Sequence, residues 1–129
     1  MKKVVKFGGS SLASAGQFQK VGDIIHAEQF QKVGDIIRSD ESRRYVVPSA
    51  PGKRFNGDTK VTDMLYRCYY SAANGEDFSG QLKQIKARYN EIIGGLNLKL
   101  SLDHEFEVIA KQFEEKAGSD YAASRGEYL

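Results

Sequence analysis

Val4-Val5-Lys6-Phe7 runs directly into Gly8-Gly9-Ser10-Ser11, and few folds accommodate that junction. The first residues are mostly β-branched or aromatic, the types a half-buried strand prefers. Two residues without a Cβ follow, so the backbone can turn sharply and bring its amides close to a ligand. A helix starting just beyond adds unpaired N–H groups and a partial positive charge, which together favour an anion. Lys6, at the end of the strand, can direct its ammonium to the same place. Strand, glycine turn, helix and lysine together suit a phosphate. The pattern is neither G-x-x-x-x-G-K-[ST] nor G-x-G-x-x-G. A plain strand-to-helix turn, with glycines chosen for backbone shape, accounts for the same residues.

Directly after this turn the chain repeats itself. Residues 15–26 are followed by a near copy at 27–38, the two units differing only at Gly16/Glu28 and His26/Arg38. Two copies make no solenoid, and this period matches none of the usual repeat arrays. Near identity in one place reads as a recent or engineered tandem duplication. In each copy the apolar residues (Phe18, Val21, Ile24 and Ile25, then Phe30, Val33, Ile36 and Ile37) share one helical face. At roughly 100° per residue, the second stripe is rotated by about 120° from the first. One straight helix therefore cannot bury both stripes against the same sheet. One copy is expected in the native helix position and the other extended, bent or looped out. Gly16 makes the first copy the poorer helix former at that position. An exposed stripe of this kind favours self-association.

A chain of 129 residues suits one domain with a modest core. The net charge of +2 is too small to argue for nucleic acid or an anionic membrane. Cys68 is the single cysteine, which excludes an intrachain disulfide and suits a reducing cytoplasm. The apolar run after Met1-Lys2-Lys3 is too short for a signal peptide, and nothing approaches a membrane span. A cytoplasmic protein with no nucleic-acid or membrane partner is the expectation.

After a charged connector at residues 38–44, Tyr45-Val46-Val47 reads as a second strand, pairing with a first at residues 3–7. The loop Pro48-Ser49-Ala50-Pro51-Gly52-Lys53-Arg54 is dense in breakers. Its Gly52-Lys53 is followed by Arg54 and lacks the upstream glycine of a P-loop. Asp58 or Thr59 is placed to cap a helix that runs to about Ala73 and buries Val61, Met64, Leu65, Cys68 and Ala72. Cys68 belongs to that core face rather than to catalysis. A second helix from Ser79 to about Ile93 carries Leu82, Ile85, Tyr89, Ile92 and Ile93, with Gly94-Gly95 stopping it. Residues 96–102 alternate as a strand does, but their helical surroundings make an extended linker the alternative. A further helix from Asp103 to about Ala117 turns Phe106, Ile109, Ala110 and Phe113 inward, and Gly118 closes it. Neither His26 nor His104 sits among ligands at metal spacing, so no protein-built metal site is expected. The last residues read as a break in which Gly126-Glu127 opens another helix, as though the chain were truncated.

Four motifs in order carry a resemblance: Lys6-Phe7-Gly8-Gly9-Ser10-Ser11, Val46-Val47-Pro48-Ser49-Ala50, Val61-Thr62-Asp63-Met64-Leu65 and Ser124-Arg125-Gly126-Glu127. Together the chain resembles the aspartate kinases of the amino-acid kinase family, over essentially its whole length apart from one copy of the repeat. The first and last motifs disfavour another amino-acid or carbamate kinase. The resemblance implies an α/β fold: a partial three-layer αβα sandwich, helix-rich, with a short parallel sheet. Residues 1–129 would form the N-terminal, substrate-side part of the kinase domain, interrupted by the tandem repeat 15–26/27–38. The implied reaction moves a phosphoryl group from Mg-ATP, the co-substrate, to the side-chain carboxylate of L-aspartate. Lys6 is the implied catalytic cation; with Gly8, Gly9 and Ser10 it would line the terminal phosphates. Ser49, Thr62 and Glu127 match positions around bound aspartate, with Glu127 suited to its ammonium group. Such chemistry needs positioning and charge neutralisation more than covalent participation. The family's nucleotide-binding half and regulatory domains would lie beyond Leu129, so no turnover by this chain alone is expected. The alternative is a non-catalytic helical piece that self-associates through its duplicated amphipathic segment into a homo-oligomer.

Overall fold

The computed structural model describes residues 4–6 and 35–129. The glycine-serine turn at residues 8–11, the first repeat copy and most of the second lie outside the described residues, so which copy takes the native helix position lies outside them too.

Strand β1 (Val4–Lys6) pairs in parallel with β2 (Tyr45–Val47), in the register Val4 to Tyr45, Val5 to Val46 and Lys6 to Val47. A parallel pair needs a long crossover, which residues 7–44 provide. The expected short parallel sheet is thus present, with three residues in each strand. Tyr45, Val46 and Val47 are all exposed, and three layers are not seen among the described residues. Among the described residues the apolar core lies in the helices instead.

Those helices are α1 (Val61–Ala73), α2 (Ser79–Gly95), α3 (Asp103–Glu114) and α4 (Ser119–Tyr128). Val61, Leu65 and Cys68 from α1 meet Leu82, Ile85 and Tyr89 from α2, then Phe106, Ile109 and Phe113 from α3 and Ala122 from α4. Those of α1, α2 and α3 are the periodic positions read from the sequence; Ala122 is not among them. Burial pushes the Cys68 thiol up to about 11, so it packs as an inert apolar group. Phe113 sits at the centre, meeting the rings of Phe78 and Tyr121 edge-on at centroid distances of 5.7 and 6.0 Å.

The ends of the elements depart from expectation for identifiable reasons. Helix α1 starts at Val61 behind Lys60, with no side-chain cap, because Asp58 is held by arginines and is not capping. Helix α2 runs through Gly94-Gly95, and the left-handed residue that ends it is Asn97 (φ 52°). There the Leu98 N–H donates to the Ile93 carbonyl at 3.0 Å, the Schellman closure. Residues 96–102 form a linker with no strand: Leu98 and Leu100 are exposed and Leu102 reaches the core. Helix α3 closes at Lys116 (φ 60°), while Gly118 begins α4. Gly126 and Glu127 do not open a helix; they lie in the last turn of one.

Candidate functional site

Both strands run the same way, so their carboxyl ends face one side, where open α/β sheets place their ligands. Lys6 is the last residue of β1 and lies level with Val47, two residues before Ser49. From Val47 the chain passes through Pro48 into a loop that carries Ser49, and helices α1 and α4 close around it.

Two close contacts bring α4 there. A Cβ built on Gly126 would lie 2.6 Å from the Cβ of Ala50, so only glycine lets the helix approach the loop this closely. On the other side the buried Tyr89 hydroxyl donates to the Gly126 carbonyl at 2.8 Å. Burial, and secondarily the negative charge of Glu127, raise the Tyr89 hydroxyl above its ordinary range, keeping it a donor. The start of α1 is fixed to the same loop by the Val61 N–H, which donates to the Pro51 carbonyl at 3.2 Å.

The result is a cavity of about 450 Å³ lined by Ser49, Ala50, Pro51, Gly52, Lys53, Lys60, Thr62 and Glu127. Ser49 comes from the loop after β2, Thr62 from the first turn of α1 and Glu127 from the last turn of α4. Residues 78 positions apart in the chain thus share one wall with two hydroxyls and a carboxylate. Gly8, Gly9 and Ser10 lie outside the described residues, and of Lys6 only the backbone position bears on the site.

Lys53 and Lys60 were not singled out by the sequence. They lie within a segment, residues 51–60, that contacts from α2 hold in place. Arg88 of α2 is only 3% exposed and donates to the carbonyls of Thr59, at 2.6 Å, and Gly52. Its guanidinium also faces Asp58 at 3.4 Å. Arg54 donates to Asp58 from both its backbone N–H, at 3.0 Å, and its Nε, at 2.9 Å, and reaches Glu91 of α2 at 3.2 Å. The Arg54 hydrogen bonds, with the Arg88 charge nearby, hold the Asp58 carboxyl well below the usual carboxylate range. These residues line a second cavity of about 390 Å³, together with Arg67, Gln81 and Gln84. Arg54, Arg88, Asp58 and Glu91 are paired with one another in bracing the loop, and the Ser49 cavity is taken as the candidate site. Among the described residues no three His, Cys, Asp or Glu side chains gather as a metal site would require. No described helix is long and apolar enough to cross a membrane.

A parallel strand pair with a polar, charged cavity at its carboxyl end, walled by helices, is the arrangement of an α/β protein with a candidate small-molecule site at the strand ends. The particular relatives are aspartate kinases. The crystal structure of the aspartate kinase of Clostridium acetobutylicum matches with a TM-score of 0.80 and 47% identity, over 97% of this chain and 26% of that one. Aspartokinase 3 of Bacillus subtilis (strain 168) is 53% identical over 66 residues, which is 51% of this chain and 12% of that protein. No family model matches the sequence. The resemblance to aspartate kinases carried by the four motifs is therefore shown, and the chain spans about a quarter or less of either relative's length.

Proposed function

We propose that this chain supplies the aspartate-binding side of an aspartate kinase, which transfers the terminal phosphoryl group of Mg-ATP to the side-chain carboxylate of L-aspartate. The observation that carries the reading is the convergence of Ser49, Thr62 and Glu127 on one cavity. Glu127 offers a carboxylate to the substrate ammonium group. The Ser49 and Thr62 hydroxyls donate to carboxylate oxygens, fixing which end of the substrate faces the strand ends. Lys6 follows on the neighbouring strand and stabilises charge on the phosphoryl group as it moves, while Gly8, Gly9 and Ser10 serve the terminal phosphates. The sheet then belongs to a three-layer αβα sandwich of the amino-acid kinase type, and the protein works in the cytoplasm. Self-association through the duplicated segment remains the competing use of the chain.

Calorimetric titration of the full chain with L-aspartate tests the reading. Saturable binding that Glu127→Gln weakens by about tenfold, the loss of one charge-assisted contact, is the expected result. Absence of heat up to tens of millimolar, with a helical circular dichroism spectrum, overturns it.

A further inference from the structure

We propose that Lys53 and Lys60 read the two carboxylates of an amino dicarboxylate in the Ser49 cavity, and so set the site's preference for L-aspartate over amino acids with one carboxylate. The inference rests on the reading of that cavity as the aspartate site and names the residues that make it selective. Its first support is charge. The residues that line the cavity include two lysines and one glutamate, Lys53, Lys60 and Glu127. Aspartate carries the inverse set, two carboxylates and one ammonium group. Neither lysine forms an ion pair with another described residue.

The second support is mechanical. A lysine on a loose loop is a poor reader of charge, because ordering it costs side-chain and backbone entropy. Here one buried guanidinium grips the carbonyl immediately before each lysine: Arg88 takes Gly52, which precedes Lys53, and Thr59, which precedes Lys60. Arg88 therefore sets the distance between the two lysine backbones, and the Val61 N–H bond to the Pro51 carbonyl closes the loop at its base. Each lysine side chain thus starts from an anchored backbone point beside the cavity, and its ammonium carries three donors for a carboxylate.

The test measures dissociation constants of the full chain for L-aspartate and L-asparagine, in the native sequence and in Lys53→Met, Lys60→Met and Lys83→Met. Lys83 lies on a different cavity and controls for net charge. Lys53→Met and Lys60→Met each weaken aspartate binding by about tenfold while Lys83→Met leaves it unchanged. Toward L-asparagine, which has one carboxylate, one of the two substitutions becomes silent. Aspartate binding that survives both substitutions intact overturns the inference while leaving the aspartate site standing. An equal loss in Lys83→Met overturns it as a general charge effect. No aspartate binding by the native chain overturns both this inference and the aspartate site.

Discussion

Gly126 shows how much of the site depends on one missing methyl group. An added Cβ meets the Ala50 Cβ at 2.6 Å, then the Leu65 Cδ1 at 3.5 Å and the Thr62 Oγ1 at 3.6 Å. The first of these cannot rotate away, since an alanine methyl is fixed to the backbone. Gly126→Ala should therefore destabilise the fold by about 1–3 kcal/mol in urea unfolding, the cost of overpacking. The double substitution Gly126→Ala with Ala50→Gly should recover much of that loss; failure to recover any would mean the helix is held elsewhere. Asp58 makes a different prediction, in pH. Its carboxyl lies below its ordinary value near 3.8 in the folded chain, because of Arg54 and then Arg88, with Glu91 the remaining charged neighbour from α2. The unfolded chain thus takes up a proton first. The stabilisation is complete above that ordinary value and is lost as pH falls through the lower folded value. Asp58→Asn, which removes the carboxylate facing buried Arg88, should cost about 3 kcal/mol at neutral pH and flatten the loss of stability between pH 4 and 2. An unchanged slope in that range would contradict the assignment.

At the scale of elements, three helices end in left-handed residues, Gly75 after α1, Asn97 after α2 and Lys116 after α3. Only the first has no Cβ to strain. Lys116→Gly should raise stability by about 1 kcal/mol, read from the urea midpoint, since the side chain is exposed and nothing else is lost. The same ends explain what was legible in the sequence. The faces of α1, α2 and α3 follow from apolar spacing, because Leu65, Ile85 and Phe113 are large and recur with the helical period. Helix α4 escaped such reading because it packs through Ala122 and Gly126, small residues that carry almost no periodic signal. Helix α1 starts later than its sequence suggests, at Val61, because Asp58, a good capping residue, finds better partners in Arg54 and Arg88. That competition arises from contacts across the chain, and local sequence does not display it.

In the molecule as a whole, the helical core and the site occupy neighbouring parts of one framework. Tyr89 belongs to both: its ring packs against Phe106 and its hydroxyl holds the carbonyl beside Glu127. Ser49, Thr62 and Glu127 could be picked out because their motifs resemble those of aspartate kinases, whereas Lys53 and Lys60 sit in a breaker-rich loop with no period. What orders that loop is Arg88, 29 residues from Thr59 and 36 from Gly52. The most direct test of the account is a ¹⁵N–¹H correlation spectrum of the full chain titrated with L-aspartate. The amide signals of Ser49, Thr62 and Glu127 should shift together along one saturable curve, while those of Arg67 and Gln84 at the other charged cavity stay in place. Shifts confined to Arg67 and Gln84, or none anywhere, would contradict the assignment of the Ser49 cavity.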